Sequence, residues 1–409
     1  MGYEVPQQYI ERYADLLVNY ALGGGAGIAA GDVVWLRSCE SAKPLYAEVS
    51  RAVWRAGGHV LGDYRTDDDA STNLSRDFFA IASDAQISHF MESYVRGVIE
   101  QADHLVFLDA EADPHALSDV DPARLIARQS SMRPAMRWRD AKENEGRFSW
   151  TIALYGTEAM AAEARLSLEQ YWEQIIAACL LDQDDVKAAY RAVDDQIHAT
   201  IASLDALPIE RLHVRGPDVD LQITLGESRR WIGGGGRNIP SFEIFTSPDW
   251  RGTEGWIRFS EPLYTHGNLV TGVQLSFKDG LVTSATATDN EPLLTEMLAA
   301  ENANRVGEFS LTDARTSRIT KFMATTLYDE NVGGPFGNTH IAVGKALQVC
   351  YDGDPSALAA EDWERLGFND SVVHTDIVST ADREVTATLT DGSTRTIYAG
   401  GQFQLDNVS

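Results

Sequence analysis

Val372-Val373-His374-Thr375-Asp376-Ile377-Val378 reads as a β-strand, and period-two alternation places His374 and Asp376 on one face with Thr375 on the other. A histidine and a carboxylate paired in this way can hold one divalent ion. The strand closes a stretch from Pro240 to Asp376 in which Glu243, Glu308, Glu330, His340, His374 and Asp376 occur among short strands and turns. Nowhere else does the sequence offer so many hard metal-binding groups.

Working outward, the sequence after Pro208 is dominated by strands: Leu212-His213-Val214, Asp220 to Leu225, Gly255 to Phe259 and Leu269 to Phe277. Asp279-Gly280 between apolar strands is a strong hairpin signal, and Asp391-Gly392 between Val385–Leu389 and Thr396-Ile397-Tyr398 is a second. Helices are expected at Pro292 to Ala303 and Ser317 to Phe322. Residues 206–409 therefore read as a mixed α+β domain with mainly antiparallel strands, carrying the metal site.

The first half has another rhythm. Tyr9, Tyr13, Leu16, Leu17 and Tyr20 recur at helical spacing, and the strand Val33-Val34-Trp35-Leu36 comes next. A helix from Ala42 to Ala56, a strand from His59, a helix from Ser88 to Gln101, and strands at His104–Leu108 and Trp150–Leu154 continue the alternation. Such alternation implies a parallel sheet with helices on its faces. Helices at Leu166–Leu181 and Val186–Leu204 link it to the strand-rich half, so residues 1–205 read as an N-terminal α/β domain. The whole is an α/β chain of two domains.

Gly25-Ala26-Gly27-Ile28-Ala29-Ala30 fits the loose spelling of a dinucleotide fingerprint. Such a loop must follow a strand and open a helix, so that the helix N-terminus meets the pyrophosphate. Here a helix precedes and a strand succeeds it, and a plain connecting loop is expected. Gly233 to Gly236 has no helix to open either, and reads as a turn.

Composition narrows the function classes. The chain has 409 residues, with 34 Lys plus Arg against 61 Asp plus Glu, a formal net charge of -27. That charge disfavours nucleic acid and anionic membrane as partners. The three cysteines, Cys39, Cys179 and Cys350, lie far apart and suit neither a disulfide framework nor a thiolate zinc knuckle. The start lacks a basic and then apolar leader pattern, and no apolar run is long enough to span a bilayer. A cytoplasmic protein is expected.

The ordered pieces Asn238-Ile239-Pro240, Glu243-Ile244-Phe245-Thr246-Ser247-Pro248, Val306-Gly307-Glu308, Leu327-Tyr328-Asp329-Glu330-Asn331, His340-Ile341-Ala342-Val343-Gly344 and His374-Thr375-Asp376 resemble the motifs of the aminopeptidase T/aminopeptidase S family of dinuclear metallopeptidases. The segments Tyr13 to Tyr20 and Gly31-Asp32-Val33-Val34 extend the resemblance over nearly the whole chain. It implies a cytoplasmic homodimeric exopeptidase with two divalent ions (Zn, Co or Mn), acting on a peptide or small amide. By motif match, Glu243, Glu308, His340, His374 and Asp376 would hold the metals, with Glu308 as the bridge. Glu330 matches a glutamate close to the metals and is a candidate ligand or catalytic proton-transfer group. Two departures stand out: a longer gap between Glu330 and His340, and Leu347 where the family tends to carry a tyrosine. His340, His374 and Asp376 alone also make the two-histidine, one-carboxylate set of non-haem Fe(II) oxygenases. A mononuclear ring-cleaving dioxygenase, like dihydroxypyridine dioxygenases, is thus the alternative reading.

Overall fold

The computed structural model describes residues 2–69, 71–265 and 267–405. They form two compact units that interlace along the chain. The first comprises residues 1–194, 234–241 and 321–328, and the second comprises 195–233, 242–320 and 329–409. The chain thus passes between them inside the helix Val186–Asp205 and returns twice, where the sequence suggests a single crossing near residue 205.

The first unit is built on a five-stranded sheet in the order His59–Arg65, Val33–Cys39, His104–Asp109, Ser149–Leu154, Asn238–Ile239, every pair parallel. The first four strands are those expected from the helix–strand alternation. The fifth, only two residues long, comes after the Gly233–Gly236 turn. A Cβ at Gly236, whose φ is +79°, would lie 2.3 Å from the Ala21 carbonyl oxygen, so only glycine lets the chain turn into the sheet there. Along Val33–Cys39 burial alternates, with Val34 and Leu36 fully inside. The strand starts are tied by His104, whose Nδ1 lies 2.8 Å from Ser149 Oγ and whose Nε2 lies 2.9 Å from Asp32 Oδ2. The Gly25–Ala30 stretch is the loop from helix to strand that its context implies.

The second unit contains an eight-stranded sheet and a four-stranded sheet. The eight-stranded sheet includes both hairpins signalled by Asp-Gly: Gln274–Lys278 with Leu281–Thr286, and Glu384–Leu389 with Thr394–Ala399. The run expected as one strand from Leu269 to Phe277 is two, Asn268–Val270 and Gln274–Lys278. Gly272 breaks it at φ +63°, where a side chain would strike Thr288. The expected helix Ser317–Phe322 is absent. That segment is irregular, and it bonds instead to the next loop, Ser317 Oγ donating to Asn331 O and Gly333 N to Ile319 O.

The four-stranded sheet matters most. Its order is His374–Ser379, Asn338–Gly344, Val306–Thr312, Glu243–Thr246, with every neighbour antiparallel. The two central strands are buried along their entire length, as expected for strands covered on both faces.

Candidate metal centre

Residues directly opposite in an antiparallel ladder put their side chains on the same face. In this sheet Glu308 is opposite Ala342, which is opposite Asp376. Ser310 is opposite His340, Gly344 opposite His374, and Thr312 opposite Glu243. With the period of two along each strand, Glu243, Glu308, His340, His374 and Asp376 all project from one face. Two glycines let the sheet close beneath them. A Cβ at Gly307 would lie 2.2 Å from Lys345 O, and one at Gly344, φ +99°, would lie 2.0 Å from Val373 O.

The side chains converge in two groups that share one residue. His340 Nε2 is 3.2 Å from Glu243 Oε2 and 3.2 Å from Glu308 Oε1. His374 Nε2 is 3.5 Å from Glu308 Oε2 and 3.5 Å from Asp376 Oδ1. The two oxygens of Glu308 therefore face different histidines. Within each group, Glu243–Glu308–His340 and Glu308–His374–Asp376, the donor atoms all lie within 4.8 Å of one another. Donors on a tetrahedral ion with bonds of about 2.0–2.2 Å sit roughly 3.3–3.6 Å apart, so both groups have the spacing of a ligand set.

The electrostatics point the same way. Glu243, Glu308, Glu330, Asp376 and His340 are all buried, as is Lys345, whose charge acts on His374, so four carboxylates stand against two imidazoles and one ammonium. An excess of buried negative charge is costly unless cations or protons offset it. Burial, with repulsion from Glu243 and Asp376, pushes the Glu308 carboxyl up to about 7 against the pull of its bond to His340. Burial and the charges of Glu243 and Asp376 hold Glu330 well above the usual glutamate range. Burial works against a charged imidazole at His340 and His374, yet both are held above the ordinary histidine value. At His340 the cause is hydrogen bonding to Glu243 and Glu308, and at His374 it is the charges of Asp376 and Glu308. Glu308, Glu330, His340 and His374 are thus all shifted toward their protonated forms, the direction that bound cations would reverse.

Neighbouring groups orient the donors. His374 Nδ1 lies 2.8 Å from Lys345 O; donating there leaves Nε2 as the free lone pair aimed at the carboxylates, the usual arrangement of a metal-binding histidine. Ser310 Oγ donates to Glu243 Oε2 at 3.2 Å. Ser310 lies two residues from Glu308 on the same strand face, but the strand is buried throughout and shows no alternation, so neither Ser310 nor a backbone carbonyl such as that of Lys345 leaves a sequence signal.

Glu330 lies in the same buried cluster but belongs to neither donor group among the described residues. Leu347 packs against the cluster of Phe245, Ala346, Cys350, Leu366 and Phe368, and its N–H donates to Ser247 Oγ.

The sequence matches the model of the thermophilic metalloprotease family M29 over residues 6–403. Aminopeptidase 2 of Geobacillus stearothermophilus is 27% identical over 422 residues, covering 98% of each chain. Among solved structures, wild-type AmpT from Thermus thermophilus superposes with a TM-score of 0.79 at 24% identity, over 98% of this chain and 100% of that one. The 2,5-dihydroxypyridine dioxygenase of Pseudomonas putida KT2440 superposes with a TM-score of 0.50 at 13% identity over 98% of each, a likeness of fold. With a buried, carboxylate-rich pair of donor groups on a sheet whose strands carry the motifs in order, the chain belongs to the thermophilic metalloprotease family M29.

Proposed function

We propose that this protein is a metal-dependent aminopeptidase whose centre holds two divalent ions. The observation that carries the reading is the division of the Glu308 carboxylate, one oxygen toward His340 and the other toward His374. Glu243 and His340 would complete one ligand set, and His374 and Asp376 the other, with Glu308 between them. Ions held there would polarise the scissile carbonyl and acidify a water for attack. Glu330, close to the centre yet outside both sets, would lose its proton once bound cations offset the burial and the Glu243 and Asp376 charges that raise it, and could then take the water proton and hand it to the departing amine. Carboxylate oxygens with one imidazole per set suit Zn, Co or Mn.

The dioxygenase alternative needs one iron held by two histidines and one carboxylate. With His340, His374 and Asp376 as that set it leaves Glu243 and Glu308 with no role, and the hydrolytic reading uses both. A catalytic region after residue 206, a homodimer and a cytoplasmic setting belong to the same proposal. All six site residues lie beyond residue 206. Exposed apolar side chains such as Ile81, Met91 and Tyr94 offer surface to a second copy, and Cys39, Cys179 and Cys350 form no disulfide with one another. No helix among the described residues is long and apolar enough to cross a membrane.

The test is release of the N-terminal residue from aminoacyl anilides by purified protein with Co, Mn or Zn, alongside a metal count. Metal-stimulated release is expected. Absence of release from every anilide and simple amide tried, or one iron per chain with oxygen uptake, would overturn the reading.

A further inference from the structure

Glu330 and His340 are separated by the segment Asn331 to Thr339, which is rich in glycine and therefore expensive to order. A proton-transfer group at the end of so pliable a segment loses its effect if it drifts, since small misplacements at a reacting centre cost rate steeply. The structure shows what holds it. Asn338 Nδ2 donates to Glu330 O at 2.9 Å and to Asp329 O at 3.2 Å. Asn338 is buried and opens the strand that carries His340, two residues further along on the same face. One amide thus fixes the backbone of Glu330 to the strand of a metal-binding candidate.

A second amide acts at the carboxylate end. Asn331 has no exposed surface. Its Oδ1 accepts from Phe242 N at 2.7 Å, beside Glu243, and its Nδ2 lies 3.4 Å from Glu330 Oε1. The Phe242 bond orients the amide, so the NH2 group is directed toward Glu330. Among four acidic side chains, an amide donor beside Glu330 adds no negative charge, whereas a fifth carboxylate there would repel it.

Resting on the aminopeptidase reading, we propose that Asn331 and Asn338 are positioning residues that clamp Glu330 at its carboxylate and its backbone, so that it faces the metal centre across the long 331–339 segment. Neither residue touches substrate in this proposal; both act through Glu330.

The experiment is a double-mutant cycle in the full-length, metal-loaded protein. Asn331→Asp keeps an oxygen for Phe242 N and loses the NH2 donor, and Asn338→Ala removes the backbone clamp. Each is made alone and combined with Glu330→Gln. Each single variant is expected to lower kcat by about tenfold or more, the scale of a misplaced proton-transfer group, with KM changed less than about threefold. In the Glu330→Gln background the same substitutions should add little, since residues acting through one group are not additive. A merely structural role predicts equal losses in both backgrounds, and that result would overturn the proposal. Crystal structures of wild type and Asn331→Asp, grown with zinc, give a readout independent of activity. Glu330 is expected to turn away in the variant with the strands unmoved, and a Glu330 that stays in place would also refute the clamp. Wild type inactive on every anilide refutes the aminopeptidase reading instead, and the crystallographic comparison still decides the clamp.

Discussion

Glu308 Oε1 and His340 Nε2 lie 3.2 Å apart inside a cluster that carries more carboxylates than imidazoles. Without cations the pair retains protons, with Glu308 pushed up to about 7 and His340 held well above its ordinary value. Metal ions take only the deprotonated ligands. Zinc or cobalt binding near neutral pH should therefore release protons, and affinity should rise as pH increases through about 7. Calorimetry in two buffers of different ionisation enthalpy measures the release directly. A buffer-independent heat would show that the cluster enters the reaction already deprotonated.

His374 and Asp376 flank Thr375 on the edge strand of the sheet. His374→Ala and Asp376→Ala should each lower metal affinity by more than the roughly 10- to 100-fold typical of an outer partner, and abolish turnover. Thr375→Val, on the opposite face, should keep both. Titration of the metal-free variants with zinc, followed by anilide assays, compares three adjacent residues in one chain. Full metal content and activity in His374→Ala would remove that residue from the centre.

Ala342 stands directly opposite both Glu308 and Asp376 and is fully buried. Its single methyl leaves room for the two carboxylates to lean toward the same ion. Ala342→Val should cost about 1–3 kcal/mol by overpacking and weaken metal binding, while Ala342→Gly should bind nearly as wild type. Melting temperatures and zinc titrations on both variants check this; equal metal affinity in the valine variant would mean the carboxylates do not use that space.

How much of this was visible in the sequence differs between the two units. The parallel sheet was legible because its strands alternate with helices, and local periodicity reports that directly. Its fifth strand, Asn238–Ile239, was not, because two residues carry no period and the pairing is made from far along the chain. His374 and Asp376 announced themselves on an edge strand with a readable alternation. Glu308 and His340 sit in strands buried on both faces, where alternation is lost, so ordered motifs rather than spacing carried them. The interlacing of the units was invisible too, since nothing in Gly234 to Ser241 or Lys321 to Tyr328 marks a return to the first unit.

Asp109 ends a strand of the parallel sheet, in the unit that carries none of the metal-binding candidates. Burial raises its carboxyl from 3.8 to about 6, with the Thr325 hydroxyl, at 3.4 Å, pulling weakly the other way. The consequence for stability has a definite sign. Between 3.8 and about 6 the folded chain keeps a proton that the unfolded chain has released, so stability falls as pH rises through that window and the loss persists above it. Asp109→Asn keeps the shape and removes the charge. The variant should melt close to wild type near pH 4 and at a higher temperature near pH 8, roughly either side of the titration. Thermal melts of both proteins at the two pH values, with the metal content held equal, make the comparison. A wild type that gains on the variant as pH rises would mean that the ionised Asp109 is stabilised by a partner, and that burial does not govern its proton.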